Sequence, residues 1–286
     1  MKKQQPVYNS APLPFQGQKR RFIDEFRKAL SQFPDAAVLV DLFGGSGLLS
    51  HVAKQERPEV RVVYNDFDDF HLRLENIPKT NALLAKIRNI VGGGISKGER
   101  IPEELRACIL DLIRKEEQTG FVDYITLSSS LLFSGRRATS FEELAKESFN
   151  NNIKQTDYVA NGYLDGVEIV KADYRELFAQ YKNVENVVLF VDPPYLSTDT
   201  RTYKAYWKLA DYFDVLKVLE GHAYIYFTST KSQIIELTDW LCRMRFSANP
   251  FAGVQRHEIK LSINHQAEYT DIMLVKNSAR SKSPTD

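Results

Sequence analysis

Five apolar residues without alternation, Val187-Val188-Leu189-Phe190-Val191, run straight into Asp192-Pro193-Pro194-Tyr195. A strand that is apolar at every position is buried on both faces, which calls for a parallel sheet flanked by helices. Two prolines then end the strand, fix the local backbone and remove two N–H donors. The nearby carbonyls and the Asp192 carboxylate therefore offer acceptors only. Tyr195 sets an aromatic face beside them. A planar group bearing an NH2 fits such a place, with its two N–H bonds taken by the carboxylate and a proline carbonyl and its ring laid on the tyrosine.

The same grammar recurs along the chain. Val38–Phe43 reads as a buried strand that carries Asp41 and turns through Gly44-Gly45-Ser46-Gly47 into a helix with Leu48, Leu49 and Val52 on its apolar side. A strand, a glycine-rich turn and a helix bring unpaired N–H groups and close backbone approach to the carboxyl edge of a sheet, where nucleotide-like ligands bind. No Gly-Lys-Ser/Thr follows, so the turn is not a P-loop. Val60–Tyr64 ends in Asn65-Asp66, and an acid at that tip can accept from ribose hydroxyls over the glycine turn. Val167–Ala172 ends in Asp173-Tyr174. Ala223–Thr228 adds a strand, and Glu258–Ile263 with Asp271–Val275 is expected to close as an antiparallel hairpin. Helices are expected over Tyr206–Leu219 and Ile234–Met244, and one with Phe22, Ile23, Phe26 and Leu30 on its apolar face follows Pro14-Phe15-Gln16-Gly17-Gln18-Lys19. In that lead-in Gly17 allows close backbone approach and Lys19 starts the helix with a cation. Before it, Met1–Pro14 reads as a loose arm with Tyr8 as its only large anchor, while Leu196–Lys204 reads as a mobile loop over the site and the residues after Asn277 as a disordered tail.

Between residues 71 and 165 the α/β rhythm breaks. Helical periodicity over Ala82–Val91 and Glu103–Glu117 alternates with Gly92-Gly93-Gly94 and polar stretches, so this segment is expected to be an inserted, mainly helical subdomain. Cys108 is expected on the buried stripe of Leu105, Ile109, Leu112 and Ile113. Basic side chains from Arg73 to Arg100 crowd the first third of the insert, a placement suited to neutralising phosphates, with Lys97 and Arg100 the chosen candidates. Arg136 and Arg137 follow a Ser-Gly turn that can project them singly, and arginine reads guanine through a bidentate pair.

Composition excludes several classes. No apolar run approaches the length of a bilayer crossing, and Met1–Ser10 lacks an apolar core of the kind that directs export, so the expected location is cytoplasmic. Cys108 and Cys242 form no C-x-x-C pair and the five histidines show no ligand spacing, so no metal is inferred. A net charge of +1 neither announces nor excludes a nucleic-acid partner, because phosphate binding needs a local patch rather than a basic whole.

Taken in order, Phe15-x-Gly17-x-Lys19, Asp41-Leu42-Phe43-Gly44-Gly45-Ser46-Gly47, Asn65-Asp66, the long insert, Asp173-Tyr174 and Asp192-Pro193-Pro194-Tyr195 resemble the Dam-type DNA adenine methyltransferases. The resemblance implies an α/β fold built on a Rossmann-like, seven-stranded, mostly parallel methyltransferase sheet. Residues 1–70 and 166–286 would form the catalytic domain and 71–165 the target-recognition subdomain. It further implies S-adenosylmethionine as cofactor, its methionine end held by Phe15, Gly17 and Lys19, the glycine turn beneath it formed by Asp41, Phe43, Gly45 and Gly47, its ribose on Asp66 and its adenine amine on Asp173. Asp192, Pro193, Pro194 and Tyr195 would be the catalytic tetrapeptide. Gln18 departs from the family, which usually has a second glycine there. The implied partner is double-stranded DNA, with or without a cognate restriction endonuclease, and no membrane or metal. The same tetrapeptide chemistry would also serve adenine in RNA or a glutamine amide, and a non-catalytic cofactor-binding module is the alternative from another class.

Overall fold

The computed structural model describes residues 6–195, 207–264 and 267–277 and divides into two compact units. One holds Ala11–Gly17 and Asp69–Tyr163; the other holds Val7–Ser10, Gln18–Asp68 and the described residues from Leu164 onward. The segment Leu196–Lys204 and the tail beyond Asn277 lie outside the described residues.

The second unit is a seven-stranded sheet. Its strands are β1 (Val38–Asp41), β2 (Arg61–Asn65), β3 (Glu168–Val170), β4 (Val187–Val191), β5 (Ala223–Ser229), β6 (Gln255–Asn264) and β7 (Ala267–Lys276). They lie in the order β3-β2-β1-β4-β5-β7-β6. Strands β1 to β5 pair in parallel, and β7 runs antiparallel to both β5 and β6. This is the mostly parallel methyltransferase sheet that the resemblance implies, with its terminal hairpin. Every residue of β1 and β4 is buried, as their unbroken apolar runs require.

Side chains alternate across the sheet, and each face has its own cover. On one face Phe190 meets Phe26 of helix α1 (Ile23–Leu30) at 5.0 Å between ring centroids, and Phe227 meets Phe22 at 5.6 Å. On the other, Val38, Val40, Leu189 and Val191 share a cluster with residues of α8 (Tyr174–Tyr181) and α9 (Leu209–Leu219), among them Leu177 and Val215. Fully burying a side chain such as Phe26 is worth about 1.5–3 kcal/mol, so both covers contribute strongly. Helix α2 (Leu48–Glu56) follows the glycine turn, and α10 (Ile234–Arg243) follows β5. The chain runs outward from β1 through β2 to β3 and then crosses to β4 on the other side of β1. The sheet's switch point, where ligands of open α/β sheets bind, is therefore the crevice between the carboxyl ends of β1 and β4.

The N-terminal segment is better held than its composition suggests. Tyr8 lies edge-on to His51 at 5.3 Å, and Leu13 is 1% exposed, so Tyr8 is not its only anchor.

The first unit comprises α3 (Phe70–Glu75), α4 (Ile77–Val91), α5 (Glu103–Thr119), α6 (Tyr124–Leu131) and α7 (Phe141–Leu144), the last four gathered around Ile87, Ile109, Ile113, Leu131 and Phe149. Two expectations are corrected there. Cys108 is exposed. Burial on α5 centres on Ile109 and Ile113, and at ~100° per residue Cys108 lies about 120° away from that centre. Arg73 is no phosphate ligand but a buried structural cation. Its Nε lies 3.0 Å from both oxygens of Asp123, and Nη2 donates to the Pro14 carbonyl at 2.9 Å. Asp123 in turn caps α6 by accepting from the N–H groups of Ile125 and Thr126. Among the described residues, no helix is long and apolar enough to cross a membrane.

Candidate active site

Four acids follow the carboxyl ends of four neighbouring parallel strands. Across the sheet they come in the order Asp173 after β3, Asp66 after β2, Asp41 closing β1 and Asp192 after β4. Adjacent strands lie ~4.8 Å apart, so the acids line one edge of the crevice in short steps. Asn65 clamps that edge. Its Nδ2 donates to the carbonyls of Leu42 and Ala172, and its Oδ1 accepts from the Ala172 N–H, all at 3.0 Å.

Asp192 is met by Lys19, whose ammonium is ion-paired to Asp192 Oδ2 with its side chain 9% exposed. The same ammonium stands 5.5 Å from the Tyr195 ring centroid and 5.7 Å from that of Phe227. Pro193 and Pro194 are buried between them in sequence. Burial raises the Asp192 pKa, and the Lys19 charge pulls it back. An N–H-rich cation held by this carboxylate beside this ring is the arrangement that a substrate NH2 would need. The resemblance implies that Lys19 serves the methionine end of the cofactor; in the structure its ammonium is bonded to the Asp192 carboxylate, 173 residues away.

Asp41 is 1% exposed. Its Oδ2 accepts from Ser50 Oγ at 2.8 Å, while Oδ1 has no hydrogen-bond partner among the described residues. Burial pushes its pKa up to about 7, against the Ser50 bond and with help from the nearby Asp192 charge.

The glycine turn depends on three of its residues. Gly47 takes φ 70° where it caps α2, and Gly45 takes φ 51°. Gly44, which sequence reasoning did not single out, is the tightest position. A Cβ there would fall 2.1 Å from the Tyr64 ring. Beside the turn, Asp66 is 6% exposed, and its Oδ1 lies 2.9 Å from the Tyr64 hydroxyl. Phe43 packs 4.9 Å from Tyr174 and 5.8 Å from Trp207. Asp173 caps α8 by accepting from the Arg175 N–H at 2.8 Å and remains about half exposed. Asp271 on β7 is a further acid of this edge that sequence reasoning missed. Burial raises its pKa, and the charges of Lys19, Lys231 and Arg21 pull it back.

Phe15 and Gly17 belong to the helical unit. Phe15 stands edge-on to Phe70 at 5.6 Å. Gly17 has φ 84°, and a Cβ placed on it would meet nothing within 4 Å, so conformation rather than crowding demands glycine there. In the same unit Lys97 and Arg100 are exposed, and Arg136 is 62% exposed and ion-paired with Glu147. Arg137 is half-buried, and Phe133, 66% exposed, lies three residues before Arg136. The run Asn150-Asn151-Asn152 fastens both loops. Asn151 exchanges backbone bonds with Gly98 and Glu99, while Asn152 Nδ2 donates to the Leu132 carbonyl at 3.0 Å.

S-adenosylmethionine carries two cationic centres, a ribose and a carboxylate. The sheet edge fits it: Asp41 has an unpartnered buried oxygen for a cationic amine, Asp66 can accept from ribose hydroxyls, and the glycine turn leaves no room for a side chain. No family model matches the chain. Two solved structures overlap it at low similarity. One, described as "a putative methyltransferase complexed with SAH", is 10% identical, covers 90% of this chain and 49% of its own, and has a TM-score of 0.35. The other, precorrin-6y C5,15-methyltransferase from Geobacter metallireducens, is 12% identical over 96% of this chain and 100% of its own, at 0.32. The relative that decides the family is a Haemophilus influenzae protein described as "Putative methyltransferase", 37% identical over 278 residues that span 94% of this chain and 93% of that protein. With that identity along nearly its whole length, and with a sheet edge that fits S-adenosylmethionine, the chain belongs to the same methyltransferase family.

Proposed function

We propose that this methyltransferase acts on the exocyclic amine of adenine in duplex DNA, at a specific sequence, in the manner of the Dam-type enzymes. The observation that carries the reading is Asp192 at the switch-point edge, its side chain only 19% exposed, already holding the Lys19 ammonium and flanked by the Tyr195 ring. S-adenosylmethionine supplies an electrophilic methyl group on its sulfonium. Asp41, the glycine turn and Asp66 would hold it, with Asp173 as the acceptor for its adenine amine.

The chain's own residues then have a defined task. An adenine amine is a weak nucleophile because its lone pair is delocalised into the ring. Acceptance of both its hydrogens, by Asp192 and a proline carbonyl of the tetrapeptide, favours a pyramidal nitrogen with its lone pair free to attack. To reach Asp192 the amine must displace Lys19, whose ammonium has two further carboxylates nearby, Asp271 and Asp41. Asp192 stabilises the positive charge that develops on the nitrogen, and its raised pKa helps it take the proton left after methyl transfer. Fixing amine and methyl in line is worth roughly 7–11 kcal/mol of barrier. Inside a duplex the base must first leave the stack at a cost of about a few kcal/mol, part of which stacking on Tyr195 returns.

What supports DNA over a smaller substrate is the helical unit, whose two loops carrying Lys97, Arg100 and Arg136 are fastened to one asparagine run. Incubation with methyl-labelled S-adenosylmethionine and, separately, duplex DNA, RNA and protein extract tests the reading. Label in DNA adenine is expected. Label confined to RNA or to protein glutamine would replace the substrate while leaving the amine chemistry intact, and no label in any of them would overturn the proposal.

A further inference from the structure

Tyr64 lies on β2, two residues before Asp66, and is fully buried. Its ring backs directly onto the glycine turn. A Cβ on Gly44 would fall 2.1 Å from Cδ2, and one on Gly47 would fall 3.4 Å from Cζ. Its hydroxyl oxygen stands 2.8 Å from the Gly45 carbonyl oxygen and 2.9 Å from Asp66 Oδ1. Both neighbours can only accept, and a phenol has one proton to give. That proton serves two acceptors from one point, and the carboxylate makes the stronger, charge-assisted bond. The backbone completes the frame, because the Asp66 N–H donates to the Val170 carbonyl at 2.8 Å. With its main chain tied to β3 and its Oδ1 tied to Tyr64, Asp66 has a set orientation before any ligand arrives.

We propose that Tyr64 is a cofactor-positioning residue, which fixes the carboxylate of Asp66 relative to the glycine turn so that the ribose hydroxyls and the turn are addressed together. The inference deepens the cofactor assignment above and rests on Asp66 taking the ribose. A rigid anchor on a fully buried strand is what such a role requires, since an acceptor oriented in advance loses no freedom when it binds. Tyr64 touches no reacting atom. Its effect passes through Asp66 and Gly45.

The test compares wild type with Tyr64→Phe, which keeps the ring under Gly44 and removes only the hydroxyl; thermal melts of the ligand-free proteins confirm that the packing survives. Each is titrated by calorimetry with S-adenosylhomocysteine and with its 2′,3′-dideoxy analogue. Tyr64→Phe is expected to bind S-adenosylhomocysteine roughly 5- to 30-fold more weakly. The dideoxy analogue is expected to bind both proteins alike. In turnover the KM for S-adenosylmethionine should rise by more than kcat falls, and Tyr64→Phe should have no further effect in an Asp66→Ala background. Equal weakening toward both ligands, or toward neither, overturns the positioning role. Wild type binding both ligands alike would show instead that Asp66 does not take the ribose, and the inference would fall with that assignment.

Discussion

Asp41→Asn should stabilise the fold at neutral and alkaline pH and change its pH dependence in a way that isolates one carboxyl group. Asp41 is 1% exposed at the end of β1; the Ser50 hydroxyl donates to its Oδ2, and the Phe43 backbone N–H also favours its ionised form. Burial raises its pKa from 3.8 to about 7. Below pH 3.8 the group is protonated in both folded and unfolded chains and adds no pH dependence. As pH rises through the next three units the unfolded chain releases the proton while the folded chain keeps it, so stability falls. Above about pH 7 the folded chain ionises too, and the loss becomes constant. Each pKa unit is worth ~1.4 kcal/mol, so wild type should lose about 4 kcal/mol relative to the asparagine variant between pH 4 and pH 8. Asparagine never ionises and can still accept from Ser50. Its NH2 adds a constant cost, which shifts the difference without changing its slope. Urea melts of both proteins across that range measure the difference directly, because the other titrating groups largely cancel. A difference that stays flat would mean that Asp41 ionises in the folded protein at an ordinary pH, and the account of a strained, cation-seeking carboxylate at the switch point would be wrong.

Four further outcomes follow from the geometry. Asp66→Ala should weaken S-adenosylmethionine binding by roughly 1–3 kcal/mol in calorimetry, with much of the rate recovered at saturating cofactor; unchanged affinity would contradict its placement. Gly44→Ala, whose methyl would meet the Tyr64 ring at 2.1 Å, should lower stability by about 1–3 kcal/mol and weaken cofactor binding as well. Gly17→Ala, with open space around it but φ 84°, should cost only about 1 kcal/mol in a thermal melt. On a random-sequence DNA pool, Arg136→Ala or Arg137→Ala should relax the methylated site at one base position by roughly 1–3 kcal/mol, whereas Lys97→Ala should weaken all sequences alike and lower the salt slope by about 1; an unchanged preference in both arginine variants removes them from base reading. The exposed Arg136–Glu147 pair is no obstacle, since such pairs are worth about 0–1 kcal/mol.

The sheet was legible because its strands announce themselves locally. Val38–Asp41 and Val187–Val191 are buried at every position, and each places an acid at its carboxyl end. Periodicity likewise located α1, α4 and α5 to within a few residues, apart from the start of α4, which the structure moves from Ala82 to Ile77. What escaped depends on residues distant in sequence. Lys19 was visible as a cation at a helix start, but nothing local says that its ammonium reaches Asp192. Gly44 is ordinary until the Tyr64 ring arrives from the next strand, and Tyr64 itself reads as one more buried aromatic. Arg73 belonged by spacing to a basic stretch; only the fold supplies Asp123 as its buried partner. Cys108 failed for a different reason, because the i, i+3, i+4 pattern fixes a stripe but not its centre, and this cysteine falls outside the stripe that Ile109 and Ile113 centre.

The central claim is that Asp192 receives a substrate amine and takes no part in holding the cofactor. Duplex DNA treated with S-adenosylmethionine and either wild type or Asp192→Ala, then digested to nucleosides and read by mass spectrometry, tests it most directly, with calorimetry on the same variant reporting cofactor binding. The account predicts N6-methyladenine from wild type, none above background from Asp192→Ala, and S-adenosylmethionine affinity within a few-fold of wild type in the variant. Methyladenine formed by the variant at the wild-type rate would contradict it.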